Sequence, residues 1–475
     1  MPTHFARRTN WNLATNAYTQ ALEEHRRAGK ELLDLTASNP TNIGLRYNQD
    51  NLLRALARPE ALTYEPIAKG LLTAREAIAG YYAERGVEIS PDDLILTTST
   101  SEAYSFVFRL LCNPDDVVLV PTPSYPLFDF LADLQDVRLA PYELVYDHGW
   151  QMDFHSLESS LRECFSSHPF ANTRRKDGAP AAELGPRLQS HPVVQSQADK
   201  GGAPGFSESS ESHSTKIRVS GAPGDISKCR AVLVVHPNNP TGSFVKPDEA
   251  AQLSKFCAAN NLAIVADEVF LDYSLERTGA PLNPVLVEWD SKGALSLAPG
   301  FAAKGGNKVL TFALSGLSKI SGLPQMKVAW IAVAGPEGVK REALARLEVI
   351  ADTYLSMNAP MQWAIPAMLE ERHSIQRQLR SRIRANLAGL DRQLMTQTLC
   401  ARLNIEGGWY VVLRVPATGS DEELAIALLR ETGVLVQPGH FYDFATDGYL
   451  VLSLITPEEI FAEGVRHLLR FIAQR

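Results

Sequence analysis

Residues Ala231-Val232-Leu233-Val234-Val235-His236-Pro237-Asn238-Asn239-Pro240-Thr241-Gly242 pass from five apolar side chains straight into a tight polar turn. A strand that is apolar throughout is covered on both faces, as in a parallel sheet held between helix layers. Similar runs occur at Leu94 to Thr97, Val117 to Val120, Leu262 to Asp267, Val309 to Leu314 and Val328 to Val333. Helix-period stretches separate several of them. This alternation predicts an α/β fold around a mostly parallel sheet. Ligands of such sheets gather beyond the carboxyl ends of the strands.

The last third reads differently. A long charged amphipathic helix is predicted from Ala364 to about Leu394, followed by short strands at Trp409 to Arg414 and Tyr449 to Leu454 with a helix between them. These features predict a smaller α+β unit over 341–475, after a large α/β domain over 49–340. A helix around Leu13 to Ala28 could pack on either unit, and residues 1–48 are assigned to the small one. Between Ser166 and Lys228, 11 Ser, 7 Gly and 6 Pro accompany only two aromatic residues, Phe170 and Phe206. Such a segment cannot bury enough apolar surface to offset its ordering entropy, so 166–228 reads as a disordered surface insertion. A shorter insertion, rich in Gly, Ala and Ser, is expected at 291–307.

Composition narrows the partners. The 475 residues are 45% hydrophobic and 21% charged, with 46 basic and 54 acidic side chains giving a net charge of −8. That balance disfavours nucleic acid and membrane surfaces and leaves small molecules. No apolar stretch approaches the ~20 residues of a membrane helix. Five scattered cysteines without metal-ligand spacing read as reduced thiols and no metal site, and the start of the chain lacks the pattern of a signal or transit peptide. A cytoplasmic location is expected.

Four motifs at predicted strand ends carry the chemistry. Thr97-Thr98-Ser99-Thr100-Ser101-Glu102-Ala103 places hydroxyls and N–H groups at a helix start, either an anion site or an ordinary Ser/Thr cap. The Asn-Pro-Thr-Gly turn at 239–242 is by itself only a turn. Asp267-Glu268, 28 residues after Asn239, puts a carboxylate at a strand end, where burial demands a cationic partner. Ser315-Gly316-Leu317-Ser318-Lys319 presents a lysine among small hydroxyl residues, either a solvated loop amine or a nucleophile for Schiff-base chemistry.

Together with Tyr64, Gly70 and the Pro123-Ser124-Tyr125-Pro126 segment, these motifs resemble the class I/II pyridoxal-phosphate-dependent aminotransferases of fold type I. The resemblance covers nearly the whole chain apart from the two insertions. It implies pyridoxal 5'-phosphate as cofactor, with Lys319 forming the Schiff base and then moving the substrate's α-proton. Asp267 aligns with the carboxylate that faces the pyridine nitrogen, Asn239 with the donor to the phenolic oxygen, and Tyr125 with the ring stacked on the pyridine, although Tyr125 also reads as a plain core tyrosine. Thr100, Ser101, Ser315 or Ser318, and Lys327 would cradle the phosphate. Tyr64 resembles the tyrosine that reaches the neighbouring subunit's phosphate, which implies a homodimer. The implied reaction moves an amino group between an amino donor and a 2-oxo acid.

Three positions depart from that pattern. Phe270 stands where the family usually has a Tyr that supports the phenolate, and Lys327 stands where most relatives have Arg. Val451 stands where an Arg usually pairs with the substrate carboxylate, and no Arg occurs between Glu431 and Gly464. Arg46 and Arg414 are candidate replacements, and His440 and Tyr442 are further pocket candidates. Without that clamp the substrate's orientation is open, so a lyase, decarboxylase or cyclising enzyme of the same fold is the alternative. A non-catalytic regulator would need a basic DNA-binding module that the first 35 residues are too short to supply.

Overall fold

The computed structural model describes residues 5–165, 228–275, 308–355 and 357–475. Apart from Lys228, the insertions expected at 166–228 and 291–307 lie outside the described residues.

Eight strands form the central sheet. In order of pairing they are Leu94–Thr97, Ala329–Ala334, Thr311–Gly316, Ala263–Asp267, Cys229–Val235, Val117–Thr122, Arg138–Tyr146 and Trp150–Met152. Ala329–Ala334 and Trp150–Met152 run against the rest, so the sheet is mostly parallel, as the apolar runs predict. Leu94–Thr97 and the five strands next to it are buried along nearly their whole length. The sequence reading misses Arg138–Tyr146 and Trp150–Met152 for a physical reason. These end strands mix buried and exposed positions instead of forming continuous apolar runs.

A second sheet pairs Ala401–Arg402, Tyr410–Arg414, Tyr449–Ser453 and Gln437–Pro438, all antiparallel. The N-terminal segment joins both parts of the molecule: Trp11 Nε1 donates to Asp133 Oδ2 at 2.9 Å beside the large sheet, and the residues after it meet the small one. Leu33–Asp34 pairs with Val434–Leu435, and the Tyr18 hydroxyl donates to the Val436 carbonyl at 2.7 Å. The N-terminal helix runs Ala17–Arg27, starting later than Leu13 because the Asn16 side chain caps it by accepting from the Thr19 N–H.

The long helix spans Ala359–Leu394, starting five residues before the predicted position because Asn358 caps it. It bridges two cores. Ala364, Ile365, Met368 and Leu369 pack with Trp330 and Leu96 of the large sheet. Further along, Ile375, Leu379, Ile383 and Leu390 pack with Trp409, Val411 and Val451 of the small one. At the second end Asn386 donates to the carbonyls of Leu454 and Thr456, fixing the turn after the Tyr449–Ser453 strand.

Candidate active site

Strand register gathers the motifs. Asp267 is the partner of Val235 on one side and of Leu314 on the other, so three parallel strands end level with one another. The crossing bonds continue past the strand ends, with the His236 N–H donating to the Asp267 carbonyl and the Glu268 N–H to the Leu314 carbonyl, both at 2.8 Å. Asn239, Asp267 and Ser315 to Lys319 therefore emerge on one edge.

The turn after Val235 is held from inside. The Asn238 side chain accepts from the Thr241 hydroxyl at 3.0 Å, and the Gly242 N–H donates to the Asn238 carbonyl at 2.8 Å. Gly242 has φ +68°, and a Cβ there would lie 2.5 Å from the Gly407 carbonyl. Only glycine meets both demands. The turn thus locks onto the 405–407 segment, which leads directly to Trp409.

Asp267 is buried at 7% exposure. Its Oδ2 accepts from the Tyr104 hydroxyl at 2.9 Å and its Oδ1 from the Val269 N–H at 3.1 Å. Burial raises its pKa to about 6, against the lowering effect of those two donors and the Lys319 charge. The Lys319 charge is thus near enough to act on Asp267, more weakly than the two hydrogen bonds. The Lys319 Nζ lies 4.6 Å from the Trp409 ring centre and 5.3 Å from that of Phe270. Aromatic faces attract a cation and keep bulk water from one side of it. Phe270 itself is buried at 4%, with its ring 5.3 Å from Trp409 and 6.2 Å from Tyr410.

Several buried side-chain polar atoms have no hydrogen-bond partner among the described residues, and Asn239 Oδ1 and Ser315 Oγ, both on this edge, are among them. Buried polar atoms are ordinarily satisfied, so each of these two has room for a polar group from outside the chain. The helix at the first motif runs Thr100–Leu111, capped by the Ser99 side chain, which accepts from the Glu102 N–H at 3.1 Å. The cap reading is met by Ser99, and Thr100 and Ser101 stand in the first turn of the same helix, the end whose dipole favours anions. Thr100 is half-buried and Ser101 exposed. Ser318 and Tyr125 are half-buried, and the Tyr125 loop is tied down where the Ser124 N–H donates to the Tyr442 carbonyl at 2.9 Å.

The remaining predicted residues range from exposed to fully buried. Lys327 is exposed in a left-handed conformation, φ +53°, and makes no ion pair among the described residues. Tyr64 is 75% exposed. Val451 is fully buried between Val412 and Gln437. Arg414 is exposed at the far end of its strand from Tyr410, and Arg46 is exposed with only its backbone tied to Gln378. The Tyr442 hydroxyl hydrogen-bonds Gln437 Oε1, whereas His440 is exposed.

Sequence reading missed three residues. Tyr104, Trp409 and Tyr273 sit in apolar surroundings and read as core. Their one available signal is that a buried Tyr hydroxyl or Trp N–H must find a partner.

A buried carboxylate, a nearby amine under aromatic cover and a helix start thus lie together at the carboxyl edge of a mostly parallel sheet, the place where such sheets bind their ligands. Comparison with known proteins gives the particular family. The model for "Aminotransferase class I and II" matches residues 8–173 and 196–462. The chain belongs to that family, whose members depend on pyridoxal phosphate, and it is an aminotransferase. It is 24% identical to the glutamate-pyruvate aminotransferase of Haemophilus influenzae, across 94% of this chain and 91% of that one. It is 21% identical to the LL-diaminopimelate aminotransferase of Dehalococcoides mccartyi, across 96% and 95%. Among solved structures, the alanine aminotransferase of Pyrococcus furiosus matches with a TM-score of 0.74 at 18% identity, covering 99% of this chain and all of that one.

Proposed function

We propose that the chain holds pyridoxal phosphate at this sheet edge through Lys319 and moves an amino group between an amino donor and a 2-oxo acid. The strand register that brings Asp267 and the Lys319 segment to one sheet edge, with the Lys319 charge close enough to act on the buried carboxylate, carries the reading. The unpartnered Asn239 Oδ1 and Ser315 Oγ are the test of fit, and they suit a ligand that brings hydroxyl and phosphate groups. When bound, the cofactor supplies an electron-withdrawing ring that accepts the electron pair released at the substrate's α carbon.

The chain's residues supply the rest. Asp267 holds a proton on the ring nitrogen by presenting a negative charge to it. Asn239 and Tyr125 orient the ring from its edge and face. The first-turn N–H groups of Thr100 and Ser101, with Ser315, Ser318 and the Lys327 charge, bind the phosphate. The Lys319 Nζ anchors the cofactor and then takes and returns the α-proton, with Trp409 and Phe270 limiting water at that atom.

A homodimer belongs to the same reading. Tyr64 at 75% exposure has exposed apolar neighbours along its segment, Leu62 at 92% and Ile67 at 42%. A second copy covering that face would give all three a partner and bring Tyr64 to the neighbouring phosphate. The division into residues 1–48, 49–340 and 341–475 belongs to it too, supported by the pairing of Leu33–Asp34 with Val434–Leu435. A cytoplasmic location is supported by five free thiols, and no helix among the described residues is long and apolar enough to cross a membrane.

A panel of single amino donors tests the activity, read as conversion of bound pyridoxal phosphate to pyridoxamine phosphate and release of the matching oxo acid. Donors that yield both support transamination. Donors consumed without pyridoxamine phosphate would contradict it.

A further inference from the structure

Tyr104 lies one helical turn beyond Thr100 on the helix whose start faces the proposed phosphate, so one rigid element carries both features. It is 2% exposed, and its ring packs edge-on against Phe128 at 5.4 Å and near Phe108 at 5.9 Å. Those contacts aim its hydroxyl at Asp267 Oδ2, which accepts it at 2.9 Å. The Val269 N–H occupies Oδ1. Each carboxylate oxygen has room for a further donor, so the two bonds fix the plane of the group without saturating it.

We propose that Tyr104 is a positioning residue that, through its bond to Asp267, keeps this carboxylate anionic and aimed at the protonated ring nitrogen of bound pyridoxal phosphate. The inference rests on the proposed function. A phenol donor stabilises a carboxylate over a carboxylic acid, so the proton between Asp267 and the ring stays on the ring. Loss of the donor moves that proton toward Asp267 and weakens the charge pair. The interior of a helix offers many places for a tyrosine, but only a residue on its sheet-facing side, one turn from the start, reaches the carboxylate this way.

The test uses Tyr104→Phe, which keeps the ring packing, and two probes: pyridoxal phosphate and its 1-deaza analogue, which has CH in place of the ring nitrogen. Binding to the cofactor-free full chain is followed by tryptophan fluorescence. Wild type should prefer pyridoxal phosphate to the analogue. Tyr104→Phe should lose about tenfold in affinity for pyridoxal phosphate and nothing for the analogue, the size expected for one hydrogen bond to a charged group. Equal losses for both probes, or none, overturn the role of Tyr104. A second comparison guards against a folding defect: in an Asp267→Asn background, Tyr104→Phe should leave both affinities unchanged, and a further selective loss overturns the proposal. Wild type that binds neither probe refutes the cofactor reading itself, and the role of Tyr104 falls with it.

Discussion

The hydroxyl of Tyr273 donates to the main-chain carbonyl of Lys319 at 2.7 Å. Tyr273 follows the Asp267 strand by six residues and is fully buried, so the segment that bears the carboxylate also holds the backbone that bears the amine. The next carbonyl, of Ile320, accepts from the Gln376 side chain at 2.9 Å, and the same amide donates to Asp272 at 2.7 Å. The lysine's main chain is therefore fixed from the sheet and from the long helix at once.

Tyr273→Phe removes the first of these bonds and leaves the Lys319 carbonyl with only the longer bond from the Gly322 N–H at 3.4 Å. The expected cost is about 0.5–1.5 kcal/mol of stability, read by chemical denaturation of the cofactor-free chain. An unchanged unfolding midpoint would show that the backbone donor alone satisfies the carbonyl.

Asp267→Asn separates stability from function. Burial raises the folded-state pKa of Asp267 from its ordinary 3.8 to about 6. Between those values the folded chain binds more protons than the unfolded one, so the stability from this group is complete below pH 3.8 and is lost as pH rises through 6. At pH 8 the neutral Asn variant should be more stable than wild type by an amount on the order of 2–3 kcal/mol. Near pH 4 the two should converge. Thermal unfolding of the cofactor-free proteins at both pH values checks this, and a variant less stable at pH 8 would contradict the burial argument. The same substitution should weaken cofactor binding.

Phe270→Tyr adds a hydroxyl where Phe270 now packs against Trp409 and Tyr410. Without cofactor that hydroxyl enters apolar surroundings and should cost about 1–3 kcal/mol. With cofactor it should support the phenolic oxygen and lower the midpoint of the absorbance change with pH by about one unit. An unchanged midpoint would mean that position 270 does not face that oxygen.

Val451→Arg should not restore a carboxylate clamp. Val451 is fully enclosed, with Val412 and Gln437 opposite it. A guanidinium there has no acid among its strand partners, and the expected loss is about 3 kcal/mol or more. A variant with wild-type melting behaviour would show that this side chain has access to the cleft.

The sheet was legible because its inner strands are continuous apolar runs, and the chemical motifs sit where those runs stop. Leu94–Thr97 matches its predicted bounds, and Ala263–Asp267 ends at the predicted residue. The Arg138–Tyr146 strand was hidden because Glu143 and Tyr146 face solvent at its outer half. Asp267 and Lys319 were legible as reactive types at strand ends. Tyr104 and Trp409 were not, because their roles come from what lies opposite them after folding: a carboxylate in one case, an amine in the other. No local pattern encodes such a pairing across 163 residues.

The identity of the anchoring amine is the central claim. The cofactor-free chain is incubated with pyridoxal phosphate, reduced with borohydride and digested, and the added pyridoxyl mass is located by peptide mapping. The account predicts one stoichiometric label on Lys319, abolished in Lys319→Ala. A label on another lysine, or a Lys319→Ala chain that still takes up the label stoichiometrically, would contradict it.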